Sequence, residues 1–210
     1  MEEPITFRSE NYTLEGLLDQ GTEQKAIVIT HPHPLYGGSM HNNVVESIRQ
    51  VHHNHGYTTL RFNFRGAGRS QGKYSDGQGE QVDVRAAVDF LTDIDQSVIC
   101  LAGYSFGAWI NALATRETVA VEHQIMISPP VGFIDFQGID TIYGLTLVVT
   151  GSRDDIAPAE QIRKMMPAWN PAAAFEVLKG ADHFYGGYTD ALEKVLAEHV
   201  QPAMGMEKPT

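Results

Sequence analysis

The chain contains a single cysteine, Cys100, so no disulfide can form within it. Cys100 lies in an apolar, strand-like run, and it is interpreted as a core residue rather than a redox group. Positive charge is also scarce, since 15 Lys and Arg stand against 26 Asp and Glu and give a net charge of −11. Nucleic acids and anionic membranes bind clustered positive charge, so neither is expected as a partner.

Long apolar runs are missing as well. No stretch approaches the roughly 20 apolar residues that a membrane-spanning helix needs, and the opening Met-Glu-Glu-Pro has neither the basic nor the apolar region of a signal peptide. The sequence therefore predicts a cytoplasmic protein. Its oligomeric state cannot be read from these features.

The chain contains enough apolar residues to form one hydrophobic core. With 210 residues, of which 42% are hydrophobic, it falls in the size range of a single α/β domain. We expect one domain over residues 1–201 and a flexible C-terminal tail over residues 202–210.

Short apolar runs alternate with helical patterns along the chain. Within most of these runs, apolar and polar residues do not alternate. This pattern is typical of strands buried on both faces of a parallel sheet. Six inner strands are predicted at residues 26–29, 58–64, 98–102, 125–127, 145–149 and 174–178, with an antiparallel ribbon within residues 6–18. Helical spacing occurs at residues 44–51, 82–90, 110–114 and 191–196. This order predicts a doubly wound, mostly parallel sheet flanked by helices.

In such a sheet the loops that leave the carboxyl ends of the strands carry the chemistry. One of them holds Ser105 between Gly103 and Gly107, after a strand and before a helix. Later loops hold Asp154 and His183. A serine, a carboxylate and a histidine therefore follow three strand ends in that order.

These motifs resemble the α/β-hydrolase superfamily, and most closely the small, lidless bacterial serine esterases whose first catalytic loop reads H-P-H-P-x-x-G-G. The dienelactone hydrolases are more distant relatives. The resemblance covers roughly residues 12–200, with the first loop at residues 31–38. The family patterns of the later loops are matched by Gly151, Asp154, Ile156 and Pro158, and by Gly180, His183 and Phe184.

The resemblance implies a serine hydrolase that cleaves carboxylic esters, with small or short acyl groups, through an acyl-enzyme. Ser105 would be the nucleophile, His183 its base, and Asp154 the acid that orients the imidazole. Asp155 and Asp182 are the rival acids. A thioesterase or a lactone hydrolase would use the same residues. A catalytically idle binding protein is a further alternative, although such a protein has no need to keep all three.

The oxyanion of such a reaction needs two backbone donors. One is expected from Phe106 N–H, directly after the nucleophile. The other should come from the first loop, where Pro32 and Pro34 have no N–H, so His33, Leu35 and Tyr36 are the candidates. Alignment with the family's H-G-x places the donor at His33, and Leu35 is the second choice.

Aromatic, histidine and arginine side chains complete the set of candidate residues. Tyr36, Phe106, Phe184 and Tyr185 are candidates to line the acyl pocket or to belong to the core. No metal or organic cofactor is expected: histidines 31 and 33 are interpreted as structural loop residues, and histidines 52, 53 and 55 as a solvated helix end. Arg65 is interpreted as structural. The 17 or so residues between residues 127 and 145 leave no room for a lid domain.

Overall fold

Eight strands join in one mostly parallel sheet in the order β1-β2-β4-β3-β5-β6-β7-β8. The computed structural model describes residues 1–117 and 119–200. The strands are β1 Glu3–Ser9, β2 Tyr12–Asp19, β3 Lys25–Thr30, β4 Thr58–Phe62, β5 Val98–Tyr104, β6 His123–Ile127, β7 Leu145–Gly151 and β8 Ala174–Leu178. The helices are α1 Asn43–Asn54, α2 Gln78–Asp93, α3 Phe106–Glu117, α4 Ala159–Trp169 and α5 Thr189–His199. The predicted tail, residues 202–210, lies outside the described residues.

The pairing of the strands brings the predicted loops to one edge of the sheet. Strands β1 and β2 form an antiparallel ribbon that pairs antiparallel with β4, and all neighbours from β4 to β8 are parallel. The carboxyl ends of β3, β5, β6, β7 and β8 therefore meet at the same edge. The predicted inner position is wrong for β8, which is an edge strand whose five residues are all half-buried.

Alternate residues of the central strands face opposite layers of helices, as the two-residue period of a strand requires. In β3, Ala26 and Val28 pack with the apolar faces of α2 and α3. Ile27 and Ile29 pack on the other side of the sheet, with α1 and α5. Burial on both faces explains why this strand is a continuous apolar run.

Helix α4 was not predicted from the sequence. Its buried residues Ile162, Met166 and Trp169 have helical spacing, but Pro167 interrupts the run near the end. Proline inside a helix removes one backbone hydrogen bond and normally disfavours the helix. Burial of Met166 and Trp169 against β6, β7 and the loop that follows β6 outweighs this cost in the last turn.

The segment between β6 and β7, residues 128–144, contains no helix or strand. Phe136, Ile139 and Ile142 fix it to the body of the protein, since all three are buried in the cluster that includes α4. The prediction that residues 128–144 form no lid domain is therefore confirmed.

Two buried residues refine the sequence interpretation. Cys100 is unpaired and buried, and burial raises the pKa of its thiol to about 12. The histidines at the end of α1 are not all solvated: His52 is buried, and burial lowers the pKa of its imidazole to about 4. No helix within residues 1–117 and 119–200 has the length and apolar character to cross a membrane.

Candidate active site

Ser105 lies in a sharp turn between β5 and α3. Its backbone has a φ of 55°, in the left-handed region that non-glycine residues rarely adopt. The Ser105 N–H donates to Ile127 O at 2.8 Å, and Ser105 O accepts from Ala108 N–H at 2.9 Å. The turn is therefore held in a strained conformation by its neighbours, as is common where function requires it.

The two glycines around Ser105 are required by close contacts. A β-carbon on Gly107 would lie 2.5 Å from Thr30 Oγ1 and 2.6 Å from Thr30 O. A β-carbon on Gly103 would lie 2.5 Å from the backbone nitrogen of Ala108. Strand β3, strand β5 and the start of α3 can approach this closely only because neither glycine has a side chain.

The structure brings Ser105, His183 and Asp154 into one hydrogen-bonded row. His183 Nε2 lies 2.9 Å from Ser105 Oγ, and His183 Nδ1 lies 2.9 Å from both carboxylate oxygens of Asp154. An ionised carboxylate can only accept, so the imidazole proton is on Nδ1 and Nε2 accepts from the serine hydroxyl. All three residues are less than 10% exposed.

The Asp154 carboxylate is held by more than the histidine. Asp154 Oδ1 accepts the backbone N–H of Ile156 at 3.0 Å and that of Ala157 at 2.7 Å. Burial acts to raise the pKa of this carboxyl, but the hydrogen bonds and charge of His183, with contacts from Ser128 and Ala157, outweigh burial and lower it. Asp154 is therefore ionised beside the imidazole at neutral pH.

The rival carboxylates do not occupy this position. Asp155 is exposed, and Asp182 is exposed with its Oδ1 accepting the Phe184 N–H at 3.0 Å. Of the three candidate acids, Asp154 is the one in contact with the His183 ring.

The loop after β3 forms one turn of 3₁₀ helix at Pro34–Tyr36. Leu35 N–H donates to His33 Nδ1 at 3.3 Å, and Tyr36 N–H donates to His33 O at 3.1 Å. Within the described residues, the backbone N–H groups of His33 and Phe106 have no acceptor. Of the three candidate oxyanion donors in this loop, His33 is therefore the one whose backbone N–H is not already used in a hydrogen bond.

The side chain of His31 is fully engaged within the protein. Its Nε2 accepts the Phe64 N–H at 3.0 Å, so its proton is on Nδ1, which donates to Pro32 O at 2.6 Å. Burial lowers the pKa of His31 to about 4. Neither ring nitrogen is available to a metal, and no cluster of three potential metal ligands occurs in the described parts of the chain.

A cavity of about 560 Å³ opens in front of Ser105 and His183. The rest of its lining is mainly apolar and aromatic: Pro32, His33, Tyr36, Gly37, Gly38, Asn42, Tyr104, Phe106, Pro130, Phe133, Ile134, Ile156 and Phe184. No Lys or Arg belongs to this described lining. Three aromatic residues at its mouth are largely exposed, Tyr36 at 75%, Phe133 at 60% and Phe184 at 66%.

The aromatic residues expected at the pocket do not all lie there. Tyr36, Phe106 and Phe184 line it, whereas Tyr185 is completely buried in the core and does not. The expectation for Tyr185 is therefore corrected: its hydroxyl lies 2.8 Å from that of Ser128. Alternating exposure along residues 181–185 explains the difference, because neighbouring side chains point in opposite directions.

Phe133, which was not predicted from the sequence, faces Tyr36 across the pocket mouth at a ring-centroid distance of 6.0 Å. An aromatic residue in an irregular, Pro- and Gly-containing segment was the one available signal. Arg65 lies outside the pocket lining and is structural: its Nη2 lies 2.8 Å from Asp83 Oδ1, and both residues are buried.

Comparison with known proteins gives a consistent picture. No family model matches the chain. An uncharacterised protein from Rickettsia prowazekii is 34% identical over 209 residues, covering 93% of this chain and 87% of the relative. An α/β serine hydrolase homologue from Coxiella burnetii is 33% identical, with a TM-score of 0.88 over 95% of this chain and 97% of the other. A serine hydrolase without a lid from Xanthomonas campestris is 26% identical, with a TM-score of 0.86 over 94% and 93% of the two chains.

Proposed function

The chain belongs to the α/β-hydrolase superfamily, and from this membership we propose that it is a serine hydrolase that cleaves carboxylic esters through an acyl-enzyme. Membership alone does not define the reaction, because one fold serves many chemistries. The observation that carries the proposal is the row of hydrogen bonds from Asp154 through His183 to Ser105.

In the proposed reaction His183 acts first as a base. Ser105 Oγ attacks the carbonyl carbon of the ester while His183 Nε2 takes the hydroxyl proton. Asp154 stabilises the imidazolium that results. The tetrahedral intermediate collapses when the imidazolium gives its proton to the departing alkoxide, which leaves as the alcohol. A water molecule then repeats the two steps on the acyl-enzyme and releases the carboxylic acid and free Ser105.

The negative charge on the carbonyl oxygen requires donors that are already in place. We assign this role to the backbone N–H groups of Phe106 and His33, and the assignment is supported because neither N–H has an acceptor among residues 1–117 and 119–200. The hydrogen bonds of the Leu35 and Tyr36 N–H groups within the loop favour His33 over either neighbour.

The pocket supports an uncharged, apolar acyl group. An isolated carboxylate on the substrate would be desolvated at a cost, because the described lining offers no Lys or Arg to pair with it. A cavity of about 560 Å³ lies within the usual range for small ligands. Small or short-chain esters with alkyl or aryl acyl groups are the substrate class proposed.

The function is tested by turnover of p-nitrophenyl esters of acetate, butyrate, octanoate and benzoate, with the matching thioesters and a carboxylate-bearing ester as comparisons. Ser105→Ala should lower kcat by several orders of magnitude. Ser97→Ala is a matched control, since Ser97 is exposed and precedes the same strand that Ser105 follows. Ester turnover that survives in Ser105→Ala would refute the proposal, and thioesters turned over far faster than esters would reassign the substrate.

A further inference from the structure

His183 lies in an irregular segment between the last strand and the last helix. Residues 179–188, which join β8 to α5, contain no helix or strand. A segment of this kind has no continuous ladder of backbone hydrogen bonds to fix its position. The proposed reaction nevertheless requires His183 Nε2 to stay at hydrogen-bond distance from Ser105 Oγ, from which it lies 2.9 Å away. The position of the imidazole therefore depends on individual contacts to this segment.

A tyrosine side chain holds the main chain of His183. Tyr104 Oη donates to His183 O at 2.6 Å. Within residues 1–117 and 119–200, no other group hydrogen-bonds to the backbone N–H or C=O of His183. Tyr104 is the last residue of β5 and directly precedes Ser105. One side chain therefore links the strand that carries the nucleophile to the residue proposed as its base.

The two rings are also in contact, and the hydrogen bond between the residues is buried. The ring centroids of Tyr104 and His183 are 5.5 Å apart, with 34° between the ring planes, and Tyr104 is 2% exposed. The next residue, Phe184, is held at exposed positions, where its N–H donates to Asp182 Oδ1 and its C=O accepts from Asn43 Nδ2. Water competes with exposed hydrogen bonds but not with a buried one. The buried bond from Tyr104 is therefore the one expected to fix the distance between His183 and the nucleophile.

We propose that Tyr104 is a positioning residue, whose hydroxyl and ring hold His183 so that its Nε2 stays within hydrogen-bond distance of the Ser105 hydroxyl. This role rests on the proposed hydrolase function. Tyr104 also lines the pocket, but its single hydroxyl proton is donated to His183 O and is not available to a substrate. The hydroxyl therefore acts on the reaction through His183.

Tyr104→Phe removes the hydroxyl and keeps the ring. Without the bond from residue 104 the main chain of His183 can move, and a shift of about 0.5 Å should lower kcat about 10-fold. KM should change by less than about 2-fold, because the ring still forms the same part of the pocket wall. Fluorophosphonate labelling of Ser105 should slow by the same factor as kcat, since it also requires His183 to activate the serine.

Two controls measure the structural cost of losing such a bond, because a buried tyrosine hydroxyl normally has a partner whether or not it serves catalysis. Tyr185→Phe makes the same chemical change, since Tyr185 is completely buried and its hydroxyl lies 2.8 Å from Ser128 Oγ. Ser70→Ala removes the same kind of bond, since buried Ser70 Oγ donates to Asn63 O at 2.6 Å. Neither Tyr185 nor Ser70 belongs to the described lining of the pocket. Both controls should lose stability and keep the wild-type kcat and labelling rate.

The proton on the His183 ring gives a readout that a purely structural role would not change. This proton lies between Nδ1 and the Asp154 carboxylate, 2.9 Å away, and is expected as a far-downfield proton NMR signal that is absent in His183→Ala. In Tyr104→Phe the signal should broaden or disappear, because a ring that moves exposes its proton to exchange with water. In the two controls the signal should keep its wild-type position and width.

The experiment measures kcat and KM for p-nitrophenyl butyrate, the labelling rate, the NMR signal and Tm, with rates read well below the lowest Tm. A loss of kcat and labelling in Tyr104→Phe that exceeds the loss in both controls would support the positioning role. Wild-type rates in Tyr104→Phe, a rise in KM alone, or rate losses that follow Tm across all three variants would overturn it. If the wild type were labelled at Ser105 but turned over no ester, the proposed substrate class would fail, and the labelling rates and NMR signal would still decide the role of Tyr104.

Discussion

Replacement of Gly107 by alanine tests the close contact that shapes the nucleophile turn. The new β-carbon would lie 2.5 Å from Thr30 Oγ1 and 2.6 Å from Thr30 O, about 0.5 Å closer than β-carbons approach their neighbours. Thr30 cannot move away easily, since it pairs with Gly103 in the sheet and its hydroxyl donates to Ala102 O at 3.3 Å. The start of α3 must shift instead, and with it Ser105.

The size of the effect follows from this overlap. Overpacking of a buried contact costs about 1–3 kcal/mol, which corresponds to a fall in Tm of roughly 2–12 °C for a chain of this size. A misplacement of 1 Å in a catalytic group can cost about 100-fold in rate, so a shift of about half that distance should lower kcat/KM roughly 10-fold.

The assays are thermal unfolding and the rate of fluorophosphonate labelling at Ser105, with Gly186→Ala as the control. Gly186 lies in the loop after His183, at an ordinary φ, and a β-carbon there meets nothing within 4 Å. This control should match the wild type or gain slightly in stability. Wild-type stability and labelling in Gly107→Ala would show that residue 107 does not approach Thr30 closely enough to require glycine.

Three further changes have defined outcomes. Asp154→Asn should lower kcat about 10²- to 10⁴-fold in ester assays with little loss of folding, and near wild-type turnover would remove Asp154 from its assigned role. Phe133→Ala should raise KM for benzoate or octanoate esters about 3- to 10-fold while KM for acetate changes less, and an equal change for all esters would place Phe133 outside the acyl site. Burial lowers the pKa of His31 and of His52 to about 4. Below about pH 6.5 these histidines bind protons in the unfolded state but not in the folded state. The free energy of unfolding therefore falls as the pH drops towards 4, by about 1.4 kcal/mol per pH unit for each histidine. Urea unfolding measured between these two pH values should show this loss of stability, and about half of the loss should be absent in His52→Gln. A free energy of unfolding that does not change with pH would contradict the expectation.

Much of this architecture could be predicted because it depends on local patterns. The central strands are continuous apolar runs, and the strand, Gly-x-Ser-x-Gly and helix sequence around Ser105 is contiguous. Proline at residues 32 and 34 restricted the choice of loop donor to three residues. In each case the constraint acts between neighbours in the chain.

The remainder depends on contacts between distant residues. Met166 and Trp169 make α4 a helix despite Pro167, because they are buried against other elements. The hydroxyl contact between Ser128 and Tyr185 joins residues 57 positions apart. The residue type of Tyr185 suits either the acyl pocket or the core, and the direction of its side chain, which places it in the core, depends on contacts that its neighbours in the chain do not determine.

The role of Ser105 as the nucleophile is tested most directly by the position of a fluorophosphonate adduct, read by peptide mass spectrometry. We expect a single adduct on Ser105 in the wild type, with labelling abolished in Ser105→Ala and greatly slowed in His183→Ala. An adduct on another residue, or no adduct in folded protein at neutral pH, would show that Ser105 is not an activated nucleophile.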